Sequence, residues 1–277
     1  DRHRVDIILL QDVGNVSWSP AGLQAAGWVS HRHTAPHKSM VLLRIATTQK
    51  LARGQTLWRS EDYDSMGITL FTPEGSLFVG TAYIPPNIDT DRAAREQASR
   101  QHRELAHTAS KCDHAIVVFD GNETIGREGR VQTHTDGRTS LSGNAENRTI
   151  TDSTMACYDG TMIDCHRSVH DQGDETYPAL KDMTSTSSGG SSSTISKVHS
   201  RIDYAYCSST LAPRLSRCDV DHSPRHWTRS GTPRLNYHAA LVTQFAWPGL
   251  WGDAGPCPAK NAALKGTTLP RRPNYAR

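Results

Sequence analysis

Apolar positions in this chain gather into short runs that stop abruptly at Gly, Pro, Asn or Ser. Seven of them read as strands: VDIILLQDV (5–13), SMVLLRI (39–45), GITLFT (67–72), SLFVGTAYIPP (76–86), HAIVVFD (114–120), RIDYAYCS (201–208) and HAALVTQF (238–245). Their Val, Ile, Leu and aromatic content suits a pleated, half-buried surface. One stretch has a different character. DTDRAAREQASRQHRELAHTASKC (89–112) is built from Ala, Arg, Glu and Gln without Gly or Pro, and predicts a helix of about twenty residues. A second helix is expected near 141–158. Strands interleaved with helices predict a layered α/β or α+β domain, and no internal repeat is present.

Two segments lack periodicity. STSSGGSSSTIS (185–196) has little apolar side-chain area and reads as a flexible surface loop. From Pro248 onward the chain is rich in Pro and Gly and ends basic, so 1–247 is expected to form the domain and 248–277 a tail, either a docking arm for a protein partner or a linker. Composition changes this picture little. The 31 Lys and Arg against 28 Asp and Glu give a formal net charge of +3, which neither demands nor excludes a polyanion partner. Six cysteines (112, 157, 165, 207, 218 and 257) form no CxxC, so neither a zinc site nor a disulfide framework is readable; free thiols in a reducing, intracellular compartment are expected. No apolar run reaches the roughly 18 residues that span a bilayer, so no membrane partner is expected. DRHRVDIILLQDV at the start does not read as a signal peptide, and without an initiator Met the chain is expected to be a fragment or a processed product.

Candidate chemistry sits where strands end. AIVVFDGNET (115–124) sets a buried-strand pattern directly against Asp120, Gly121 and Asn122. Taken alone, Asp-Gly-Asn is a turn. The other strands show the same habit: Gln11 and Asp12 end the first, Tyr83 and Asn87 follow the fourth, Asp203 lies early in the sixth, and His238 opens the last. Polar groups gathered at strand ends make a site on one edge of a sheet or sandwich. Their chemistry is hydrolytic: carboxylates hold a hard divalent cation or orient water, carboxamides donate to phosphate oxygens, and a His paired with an Asp stabilises charge on a phosphoryl group. The His-rich HRHTAPH (31–37) reads as a solvated loop or, less simply, a transition-metal site. Sequons at Asn15, Asn122 and Asn147 carry meaning only in a secreted protein.

The order of these strand ends resembles the endonuclease/exonuclease/phosphatase superfamily, which includes apurinic endonucleases, DNase I and the endonucleases of non-LTR retrotransposons. Five motifs carry the resemblance over roughly residues 5 to 245: LQD, AYIPPN, FDGN, RIDYAY and NYHAALV; the phrasing of SRIDYAYCSS is most similar to the retrotransposon branch. The resemblance implies that Asp120 orients water and Asn122 contacts a phosphate oxygen. Tyr83 and Asn87 would line the scissile phosphate. Asp203 would hydrogen-bond the ring of His238, which contacts the phosphate, and Asp12 would stand at the position of the family's metal-binding Glu. Asp12, Asp120, Asn122 and His238 are therefore expected in one cleft. The departures fall on the metal side. The family's first strand, with its Asn, and the helix after it are expected to be missing; Asp12 is one methylene shorter than Glu; Tyr237 replaces the Asp before the His. VDHSP (220–224) offers Asp221-His222 as a competing pair, but His238 leads directly into an apolar strand and is preferred.

The resemblance implies a four-layered α/β sandwich, two mixed sheets packed face to face with helices outside. It also implies a nuclease-type phosphodiesterase that cleaves a nucleic-acid phosphodiester, DNA before RNA, with Mg²⁺ or Mn²⁺. The alternative is an inactive relic of this fold that needs no metal and serves as a structural or interaction subunit of a larger assembly, which could contain RNA.

Overall fold

A computed structural model describes residues 5–13, 19–34, 36, 38–49, 51, 54–86, 88, 90–123, 125, 130–134, 139–141, 149–170, 179–181, 195–200, 202–221 and 240–247. Its elements, in chain order, are β1 (Ile7–Leu10), α1 (Pro20–Ala25), β2 (Trp28–Arg32), β3 (Met40–Arg44), α2 (Ile45–Thr48), β4 (Gln55–Arg59), β5 (Ser65–Thr72), β6 (Gly75–Tyr83), α3 (Arg92–Ala109), β7 (His114–Asp120), β8 (Arg130–His134), β9 (Thr139–Leu141), β10 (Met162–Asp164), α4 (Cys165–Val169), β11 (Ala179–Lys181), β12 (Ile195–Ser200), β13 (Asp203–Ser208), β14 (Leu215–Asp221) and β15 (Ala240–Phe245).

A six-stranded sheet in the order β10-β13-β7-β6-β5-β4 divides the molecule. It is mixed: β6 and β7 run parallel and their neighbours antiparallel. Side chains alternate cleanly between its faces, as the period of a strand requires. Phe78, Ala82, Val117, Phe119, Tyr204 and Tyr206 face a core shared with Leu105 of α3 and Tyr158. Leu77, Val79, Ile116, Val118, Ala205 and Cys207 face the other way, onto Val41 and Leu43 of β3 and onto Leu215, Leu241 and Phe245. That second layer is the antiparallel sheet β1-β3-β2 beside the antiparallel hairpin β14-β15. Met40 and Leu42 point out of it again, toward Leu23 of α1 and Trp28. Helix, sheet, sheet, helix is the expected four-layered sandwich. A separate four-stranded antiparallel sheet, β11-β12-β8-β9, completes the topology.

α3 makes the parallel β6–β7 pair possible, because parallel neighbours need a crossover. Asp91 caps its N-terminus, accepting from the backbone N–H of Ala93 (2.8 Å) and Ala94 (3.3 Å). Its buried stripe is Ala98, Gln101, His102, Leu105 and Ala109. Small residues let it lie close: a Cβ on Gly67 would come within 2.4 Å, and one on Gly80 within 2.5 Å, of the Phe78 ring, so two cross-strand glycines form the slot for that ring.

Three expectations need correction. The second helix is absent from 149–158, which folds as two 3₁₀ turns, Ile150–Asp152 and Ala156–Tyr158. Its hydroxyl side chains compete for the backbone: Ser153 Oγ donates to Ile150 O at 2.6 Å, and Thr149 and Asp152 form a capping box. HRHTAPH does not read as a wholly solvated loop, because His31 and Arg32 end β2 and His33 is buried. The Gly/Ser stretch gives way to β12 at Ile195, its earlier part lying outside the described residues. None of the five described cysteines is in a disulfide, and three of them are buried. No described helix is long and apolar enough to cross a membrane.

Two measurements probe this core. Gly80→Ala should lower stability by about 1–3 kcal/mol through overpacking against Phe78, read as a drop in urea midpoint at constant slope; an unchanged midpoint would contradict the slot. His102 is fully buried, 4.7 Å from the Phe119 ring, and burial pushes its imidazole down to about 3 from 6.5. The unfolded chain therefore binds a proton that the fold refuses between about pH 6.5 and 3, and stability falls as pH falls, by up to about 1.4 kcal/mol per pH unit from this group. His102→Phe should flatten that acid limb relative to the parent.

Candidate active site

The ends of three neighbouring strands carry the central residues. Tyr83 of β6 is in register with Asp120 of β7, and Asp120 with Asp203 of β13. All three share the side-chain parity of Thr81, Val118 and Ala205 and so lie on the face toward the second layer. They form a row across one sheet edge about 10 Å wide, two inter-strand spacings. Asp120 and Asp203 are buried.

The turn after β7 aims Asn122. Gly121 donates to Ile202 O at 2.6 Å, and a Cβ there would meet the Tyr204 ring at 3.2 Å. Asn122 has φ +47°, a left-handed conformation that Asn tolerates better than most residues. Its N–H donates to Asp120 Oδ1 at 3.1 Å and its Nδ2 to Ile84 O at 2.6 Å. Asp-Gly-Asn is thus a turn and also an arrangement of side chains, with one amide hydrogen of Asn122 left over for a ligand. Glu123 fixes the next residue from below. Its buried Oε2 accepts from Thr154 N (2.8 Å) and Oγ1 (2.6 Å), Arg95 lies 3.4 Å from Oε1, and Tyr204 Oη donates to its carbonyl at 2.9 Å.

The second layer supplies the opposite wall. Gln11 Nε2 donates to Thr81 Oγ1 at 2.6 Å, tying the end of β1 to β6. Asp12, also at φ +47°, accepts from Lys38 Nζ at 2.6 Å, and Lys38 Nζ lies 5.9 Å from the centre of the Tyr83 ring. Asp64 holds this segment through backbone N–H donors, Lys38 N at 2.7 Å and Ser39 N at 2.9 Å. Gln101 Nε2 reaches up from α3 to Tyr83 O, Ser65 Oγ and Asp64 O at 3.0–3.1 Å. The Asp12 hydrogen bond raises the Lys38 ammonium above its ordinary pKa, keeping it charged. Burial, then the charges of Asp12 and Asp120, push the Tyr83 phenol up, so it stays protonated at neutral pH.

Of the residues expected from sequence, Asp12, Tyr83, Asp120, Asn122 and Asp203 gather along this edge. Asn87, Tyr237, His238 and His222 lie outside the described residues. Asp221 ends β14 in register with Ala240. At the other end of this hairpin Arg214 pairs with Glu74 at 2.7 Å and Trp247 packs on His114 at 4.7 Å, beside the starts of β6 and β7. The described part of the hairpin therefore packs beside those strands. Lys38, Asp64, Gln101 and Glu123 were missed from sequence. Lys38 and Asp64 each abut an apolar strand, the signal that identified Asp120.

The group implied for such a site is a divalent cation, and these donors do not fit one. Mg²⁺ takes near-octahedral oxygen ligation through one or two carboxylates and waters. Asp12 is engaged by an ammonium, Asp64 by two backbone donors, and Asp120 by Asn122 N–H. Among the described residues no three His, Cys, Asp or Glu side chains are grouped to hold a metal ion.

No protein-family model matches the sequence, and no curated protein matches it. Solved structures do. The 3′ phosphatase NExo from Neisseria, bound to a product DNA hairpin, aligns with a TM-score of 0.60 at 14% identity over 87% of this chain and 89% of that one. An AP endonuclease from Archaeoglobus fulgidus aligns at 0.54 and 16% identity over 87% and 88%. D. rerio TDP2, complexed with a single-strand DNA product, aligns at 0.54 and 11% identity over 86% and 84%. At such identities the likeness establishes architecture alone: the chain shares the layered α/β fold of these three structures.

Proposed function

We propose that the chain is a nuclease-type phosphodiesterase domain that acts slowly on a nucleic-acid phosphodiester, DNA before RNA. The observation that carries this reading is the row Tyr83–Asp120–Asp203, set in register on one face at one sheet edge with Asn122 beside it. Asp120 orients a water molecule and takes its proton as the oxygen attacks phosphorus. The new P–O bond forms as the bond to the departing oxygen breaks, and the Tyr83 phenol, neutral in the resting site, supplies the proton which that oxygen needs. Asn122 donates its remaining amide hydrogen to a non-bridging oxygen. As the resemblance implies, Asp203 would fix the ring of His238 against the same phosphate. Ancestry in retrotransposon endonucleases rests on the wording of SRIDYAYCSS.

The second reading is a relic of this fold that binds without cleaving and docks elsewhere through 248–277. It is favoured by one observation, the Lys38–Asp12 pair where the resemblance puts a metal carboxylate.

Plasmid nicking across Mg²⁺ and Mn²⁺ titrations, with an EDTA arm, separates the two. The unaltered chain should nick slowly, and Asp120→Ala should reduce the rate by about 10²-fold or more. Equal rates for parent and variant would leave the relic reading in possession.

A further inference from the structure

We propose that Lys38 is the resident cation of this site, an ammonium held by Asp12 that anchors a substrate phosphate and makes its binding independent of divalent metal. The backbone on either side of Lys38 is fixed. Its N–H and that of Ser39 donate to the two oxygens of Asp64, while its carbonyl accepts from Val13 N at 3.0 Å. The side chain then spans to Asp12 at 2.6 Å and places Nζ 5.9 Å from the centre of the Tyr83 ring, at the end of the catalytic row. Asp12 reaches back from a left-handed turn that directly follows Gln11, itself bonded to Thr81 of β6. Both partners are therefore delivered to this spot by separate backbone constraints.

The electrostatics follow from the pairing. A carboxylate neutralised by an ammonium no longer offers the negative charge that draws a divalent ion, and the ammonium repels one. Lys38 remains about half exposed, with a side-chain relative accessibility of 45%, and an ammonium has three hydrogens to donate. One goes to Asp12, and the others are available to phosphate oxygens. A point charge on a flexible stem serves this purpose well.

The ligand in this inference comes from the phosphodiester reading above; the occupancy of the cation position does not depend on it. Two titrations on the full chain keep them apart, with circular dichroism confirming that each variant folds. The first adds Mn²⁺ to protein alone and follows free Mn²⁺ by electron paramagnetic resonance. Parent and Asp12→Asn should take up Mn²⁺ alike, and Lys38→Met should gain uptake that Lys38→Met/Asp12→Asn lacks. Uptake by the parent that Asp12→Asn abolishes, or no gain in Lys38→Met, would overturn the proposal. The second measures a fluorescent DNA duplex by anisotropy at matched ionic strength. Parent affinity should agree within about twofold between EDTA and Mg²⁺. Lys38→Met should bind roughly tenfold more weakly in EDTA, with the slope of log K against log salt reduced by about one, and Lys38→Arg should retain binding. A tenfold gain of parent affinity on adding Mg²⁺, or parent-like binding by Lys38→Met, would also overturn it. If no form binds duplex, the phosphodiester reading fails and the Mn²⁺ titration alone decides the role of Lys38.

Discussion

β6 and β7 pair in parallel from Leu77–His114 to Tyr83–Asp120, and this register decides where every candidate group ends. A slip of one residue would turn Asp120 to the α3 face, among Phe119, Tyr158 and Tyr206, where a carboxylate is costly to bury. Several features oppose the slip. Phe78 fills a slot made by Gly67 and Gly80, which exists in one alignment of β5 and β6 only. Ile84 N donates to Asp120 O at 3.0 Å just past the paired region, and Gln101 bridges the ends of β5 and β6 from the helix. The crossover helix that permits parallel pairing thus also fixes where the pair stops.

Acidic groups at the edge coexist because each has its own donors. Asp64 takes two backbone N–H groups, Asp12 an ammonium, and Asp120 the N–H of Asn122. A metal site solves the same repulsion differently, by sharing one divalent charge among several carboxylates. Here neutralisation is local, and it leaves Tyr83 between Asp12 and Asp120 as a neutral phenol. In the reading proposed above, this local pairing leaves the Lys38 ammonium, beside Asp12, as the positive charge that meets a phosphate.

Strands buried on both faces were legible because they are nearly continuous apolar runs: β3, β5, β6, β7 and β13 all appear in the sequence within a few residues of their observed bounds. β2, β4 and β14 were not. WVSHR, QTLWR and LSRCDVD alternate apolar with charged or polar residues over a few positions, since each is half-buried, and their periodicity is too short to separate from loop. The strand-end habit revealed Asp120, Asn122, Tyr83 and Asp203 with help from resemblance. It did not reveal the Lys38–Asp12 contact, which joins residues 26 apart through two turns and depends on a left-handed Asp12 that no local pattern announces.

Of the two competing pairs, Tyr237-His238 and Asp221-His222, the described residues include Asp221 alone. From sequence the two looked like alternatives at distant positions, 16 residues apart, of which a strand could follow one. β14 and β15 pair antiparallel, with Asp221 facing Ala240. Arg214 and Trp247 hold the far end of that hairpin against the starts of β6 and β7. β14 and β7 are both seven residues long, about 20 Å of strand, and Leu215, Leu241 and Phe245 of the hairpin bury against the same cluster as Ile116 and Val118 of β7.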